Sequence, residues 1–177
     1  MLDLSEQAIT GLTTVVIATL TTLAMNWINW KLNRQTFSST VEARIEGLFD
    51  RLVEYRLKHP EVLKLSRNWT PDCLTKVYAQ TSEEDKAWAI YVGYVDLCIG
   101  YCNAALMARR RGRLSRDIYS SQYEPLMKLL ISEHFPVIRQ FAREGGFVSS
   151  GLSDYIKDQR RRGWNWEVEF QNMDKVR

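Results

Sequence analysis

The side chains able to do chemistry in this chain are few and scattered. There are two histidines, His59 and His134, and three cysteines, Cys73, Cys98 and Cys102. Each histidine stands directly or nearly before a proline, Pro60 or Pro136. A zinc or heme site needs such donors grouped with cysteine or carboxylate at ligand spacing, as in HExxH or CxxCH. Neither pattern occurs, so both histidines read as structural or surface residues. Cys98 and Cys102 lie one helical turn apart, which could supply half a metal site. Two thiols in an apolar helix are better read as small packing groups. No metal and no cofactor is expected. Asp96 and Asn103 interrupt the same apolar stretch, and a buried Asp96 would need an arginine or a tyrosine hydroxyl beside it. As a catalytic base it would also need a pocket and a second polar group. The chain has no Gly-rich phosphate loop, no GxSxG elbow and no paired-carboxylate signature. It reads as a non-enzyme. The odd cysteine count argues against a secreted disulfide framework and for a reducing compartment.

The other chemistry is charge. Two basic runs occur, Arg109–Arg113 and Arg160-Arg161-Arg162, and the second leads into Trp164 and Trp166. Basic residues beside tryptophans can stack on nucleic-acid bases or lie at an anionic membrane surface. A solvated helix end complementing its own dipole is the alternative. The net charge of +3, from 24 basic and 21 acidic residues, is too mild to imply nucleic acid. Anionic lipid or a protein partner is the preferred contact.

The element that places everything else is Ala8 to Trp30, a run without a charge. As a helix it reaches about 34 Å, enough for a hydrocarbon core of about 30 Å. A soluble helix of that length should show a charged face, and this one has none. A cleaved signal peptide fits poorly, because Asp3 and Glu6 stand where a basic region belongs and the apolar run is too long. The run is therefore expected to be a single transmembrane helix, with Trp27, Trp30, Lys31 and Arg34 at the membrane interface. Basic residues follow it and only acidic ones precede it. The rest of the chain should accordingly lie on the cytoplasmic side of a bacterial inner membrane. Thr10, Thr14, Ala18 and Thr22 recur every fourth residue and form a small-residue ridge. Such a ridge lets another membrane helix approach closely, although threonine is also simply tolerated in lipid.

The remainder punctuates as helices. After a polar neck from Lys31 to Thr40, Ser39-Thr40-Val41-Glu42 fits a capping box, and the helix it opens should stop near His59. Thr70-Pro71-Asp72 starts a short helix. Thr81-Ser82-Glu83-Glu84 starts the longest, which ends at the arginine run before Gly112. That helix is apolar enough to be weighed as a second span. Asp96 and the reversed charge bias it would create argue instead for a central helix buried nearly all round. A kink is expected near Tyr123 ahead of Pro125, a further helix from Pro136, and a last one from Ser149 or Ser150 to Gly163. The fold class is all-α, one N-terminal transmembrane helix followed by an irregular cytoplasmic bundle. The parts are an anchor with its flanks (1–35), a helical cytoplasmic domain (36–163) and an irregular C-terminal tail (164–177).

The order HPEVLKL, YVDLCIGYCNAALMARRRGRLSRDIY, FPVIRQFAREGG and SDYIKDQ resembles a loose group of uncharacterised bacterial proteins with an N-terminal membrane anchor and a helical cytoplasmic domain. The likeness runs from His59 to Gln159. Members often carry a glutamate soon after the asparagine matched by Asn103, whereas Ala104 and Ala105 follow it here. The resemblance implies architecture and carries no activity with it.

Together these features suggest a non-catalytic accessory subunit of a bacterial membrane protein complex, whether respiratory, photosynthetic or transport. It would dock by its transmembrane helix and its cytoplasmic bundle. The alternative is a self-associating membrane-anchored sensor or effector, and a tethered enzyme using Asp96 comes third.

Overall fold

The computed structural model describes the backbone of residues 3–79, 81–144 and 148–175. Within the first helix, α1 (Asp3–Lys58), the described side chains are 22, 23, 25–29, 31 and 38–58. Every element among the described residues is helical. The chain divides into two compact units, Met1–Thr40 and Val41–Arg177.

In the first unit the backbone is helix from Asp3 onward. The predicted neck and its capping box are not a break, since the helix continues through Ser39 to Glu42. No proline or glycine stands between Lys31 and Glu46 to stop it. Serine and threonine prefer caps, yet inside a helix each costs only about 0.5 kcal/mol, too little to break it.

The second unit starts with the remainder of α1, which ends at Lys58, just ahead of Pro60. Then come α2 (Val62–Leu65), a 3-10 turn (Ser66–Asn68), α3 (Cys73–Ala79) and the long α4 (Glu83–Arg110). The start of α4 is a capping box set one residue later than expected. The Ser82 side chain accepts from the Asp85 amide, and Asp85 accepts from the Ser82 amide. Asp85 is the better partner because it also accepts from the Thr81 hydroxyl (2.7 Å) and amide (2.9 Å). At the other end Gly112 takes φ +65°, a left-handed geometry that glycine adopts without steric cost.

Four of the helices that follow α4 are α5 (Arg116–Ile118), α6 (Glu124–Glu133), α7 (Phe135–Glu144) and α8 (Ser150–Arg161). Ser149 caps α8, its hydroxyl accepting from the Leu152 amide, and Gly163 at φ +91° ends it. Between α5 and α6 the kink expected before Pro125 is a π turn, Tyr119–Tyr123, in which the Glu124 amide donates to the Tyr119 carbonyl five residues back. Pro125 has no N–H, and its ring would strike the carbonyl four residues earlier in an α-helix, so a wider turn relieves it.

The core forms around one broad face of α4. Tyr91, Tyr94, Val95, Cys98, Tyr101, Cys102 and Ala105 are buried at helical spacing. Ile45 and Leu52 from α1, Val137, Ile138 and Phe141 from α7, and Leu152 from α8 close over them. The burial is not all round. Asp96 and Met107 lie on an open side. Among the described residues α4 alone is long and apolar enough to cross a membrane, and half of its most apolar stretch is buried in the protein. That apolar character is what a central helix of a bundle needs.

The tail is a correction. Residues expected to be irregular form α9 (Trp166–Lys175). Asn165 caps it, its side-chain oxygen accepting from the Val168 amide at 3.3 Å, and Glu167 and Glu169 fill the first turn. Trp166 has no exposed surface. Its ring stacks on Phe135 with centroids 6.1 Å apart, and its indole N–H donates to the Ile156 carbonyl.

Candidate functional site

The second unit brings one of the two histidines into a buried polar cluster. His134, at the junction of α6 and α7, is fully buried, and its Nδ1 lies 3.1 Å from the Tyr91 hydroxyl. The Tyr94 ring meets it edge-on, with centroids 5.3 Å apart. Its Nε2 is 3.7 Å from the carboxylate of Glu133, which is also buried. Burial pushes the Tyr91 hydroxyl well above its ordinary value, so it stays protonated. His59 is separate. It lies beside Tyr55 and 3.3 Å from Glu61. Among the described residues no group of histidine, cysteine and acidic side chains is arranged to hold a metal ion.

The cysteines are free and buried. Desolvation raises the Cys98 thiol well above its ordinary value and brings Cys102 up to about 12, so neither is a nucleophile at neutral pH. Asp96 is exposed, contrary to its expected place in the core, and needs no buried partner. Helical phase explains this: the buried face passes through 95 and 98, and 96 falls beside it. Asn103 is half-buried and accepts a hydrogen bond from the Ser149 hydroxyl, tying α4 to the cap of α8.

Of the residues singled out at the membrane, Thr10, Thr14, Ala18, Trp30 and Arg34 lie outside the described side chains. Those between Thr22 and Lys31 that are described are all exposed. They include Leu23, Met25, Trp27 and Ile28, each at least 43% exposed. The Lys31 ammonium sits 5.3 Å from the centre of the Trp27 ring.

The basic and aromatic patch expected at the C-terminal end separates into two parts. Arg160, Arg161 and Arg162 are exposed, with Arg160 near Glu167 and Arg162 2.8 Å from Asp158. Trp166 belongs to the core and cannot reach a partner. Trp164 is half-buried, with the Lys128 ammonium 4.7 Å from its ring centre.

A concave feature that the sequence did not suggest lies between α7 and the turn before α3. It is a cavity of about 410 Å³ lined by Trp69, Pro71, Pro136, Arg139, Gln140 and Arg143. Pro136, Arg139, Gln140 and Arg143 repeat at three and four residues and so share one face of α7. Gln140 fixes the opposite wall: its side-chain oxygen accepts from the Trp69 indole at 2.9 Å, and its amide donates to the Pro71 carbonyl at 3.3 Å. Trp69 is held from behind by Trp88 and Tyr91, with ring centroids 5.8 and 5.9 Å away. The only signal in the sequence was a pair of arginines four apart on a proline-opened helix, and the distant Trp69 gave it no context. Neither a family model, nor a curated protein, nor a solved structure matches this chain.

Proposed function

We propose that the chain is a non-catalytic accessory subunit of a bacterial membrane protein complex. In this reading Ala8–Trp30 crosses the inner membrane and the helical unit from Val41 onward docks on the cytoplasmic face of a partner. The observation that carries it is the exposure of Leu23, Met25, Trp27 and Ile28 along one uncharged run. At 100° per residue these four spread over more than half of the helix circumference. A helix resting on protein would cover its apolar stripe and show charges elsewhere; lipid and neighbouring membrane helices suit this one better. The stacking of Lys31 on Trp27 is what an interfacial anchor requires, an amphipathic ring at headgroup level with a cation above it. The non-catalytic part rests on His134, Cys98 and Cys102, whose burial keeps them from any substrate.

Extraction in a gentle detergent followed by native electrophoresis and mass spectrometry tests the reading. The chain should migrate with a defined larger complex, and migration as a lone monomer overturns the proposal. Strong self-crosslinking of an Ala18→Cys variant would instead point to a homodimeric sensor or effector.

A further inference from the structure

We infer that the cavity between Trp69 and α7 is a binding site for a phosphate ester. The inference is independent of the membrane reading, since every residue it uses lies in the second unit.

Charge is the first argument. Arg139 Nη1 lies 3.4 Å from Glu167, and the same carboxylate oxygen is 3.4 Å from Arg160. Glu167 is shared with Arg160, which lies outside the cavity, so it offsets the Arg139 charge only in part, and Arg143 adds a full one. Arg143 is exposed and has no ion pair among the described residues. The positive excess of the lining suits an anion such as a phosphate monoester, with its roughly −1.5 to −2 at neutral pH. Two planar forks one helical turn apart also suit an anion with three terminal oxygens.

Shape is the second argument. The cavity falls within the roughly 300–1,000 Å³ range of small-ligand sites. Its remaining walls, Trp69, Pro71 and Pro136, are apolar and offer a surface for the organic part of an ester. Gln140 has both ends committed to the chain, so it holds the Trp69 indole in place before any ligand arrives. A site held ready in this way loses less conformational freedom on binding.

Titration calorimetry on the full chain in a neutral detergent would test this, with phenyl phosphate as probe and inorganic phosphate and phenol as its two halves. Phenyl phosphate should bind saturably and at least tenfold more tightly than either half. The Arg139→Gln/Arg143→Gln double variant should weaken it at least tenfold, while Arg162→Gln, beyond the cavity, should leave it within twofold. Far-ultraviolet circular dichroism would confirm that all variants keep their helix content. Repeating the titration in phosphatidylcholine proteoliposomes with and without phosphatidylglycerol separates the sources. Competition by the anionic lipid assigns the phosphate to a headgroup, and its absence assigns it to a soluble ester. No saturable binding, or equal binding by the double variant and Arg162→Gln, would overturn the site.

Discussion

At the scale of single residues, the polar groups of this protein stabilise structure in ways that can be measured. Removing the Tyr91 hydroxyl by Tyr91→Phe takes away a buried hydrogen bond to His134 and should cost about 1–2 kcal/mol in urea unfolding. Asp85 gives a pH dependence. The Thr81 hydroxyl and Ser82 amide hold its carboxyl below the ordinary carboxylate range near 4. Its contribution is therefore complete above that range and is lost as pH falls through the lower folded value. The thermal midpoint should drop with acid over that window, and Asp85→Asn should flatten the response. The cysteines supply a kinetic test. Because all three are buried, with Cys98 and Cys102 kept as thiols, alkylation at pH 8 should proceed only as fast as the protein unfolds. Rapid labelling of the native chain at Cys98 or Cys102 would contradict their placement.

At the scale of elements, what could be read from the sequence was what local chemistry decides. Pro60, Gly112, Pro136, Ser149 and Gly163 mark boundaries in both the sequence and the structure, because each acts through its own backbone geometry. The departures come from one local competition between carboxylates and one tertiary packing term. Asp85 displaced Glu84 as the partner of the cap through its extra bonds to Thr81, and α9 forms because Trp166 finds Phe135 and the Ile156 carbonyl. The second partnership has no sequence period. The Trp69 cavity was illegible for the same reason, since its two walls are about seventy positions apart along the chain. Trp166→Ala should cost about 3–5 kcal/mol and unravel α9, whereas Arg161→Gln, on the exposed end of α8, should fall within about 0.5 kcal/mol of the parent.

At the scale of the whole molecule, the all-helical class was legible from the caps and periods, and the chain divides into two units after Thr40. Among the described side chains, core burial begins at Ile45, inside the second unit. The proposed anchor gives its own expectation. Alkaline carbonate washing should leave the full chain with the membrane fraction, and a variant lacking residues 1–35 should appear in the wash.

The π turn at Tyr119–Tyr123 sets a limit on how this stretch could ever be shortened. It takes up one more residue than a regular coil would over the same arc, and Met127, Leu130 and Ile131 inherit their phase from it. Deleting Ser120, an exposed residue, would close the turn to a regular coil, leaving the downstream phase in place but pressing the Pro125 ring on the Ser121 carbonyl. Ser120→Ala should be silent and the deletion should cost about 3 kcal/mol, so length rather than composition is the constraint there.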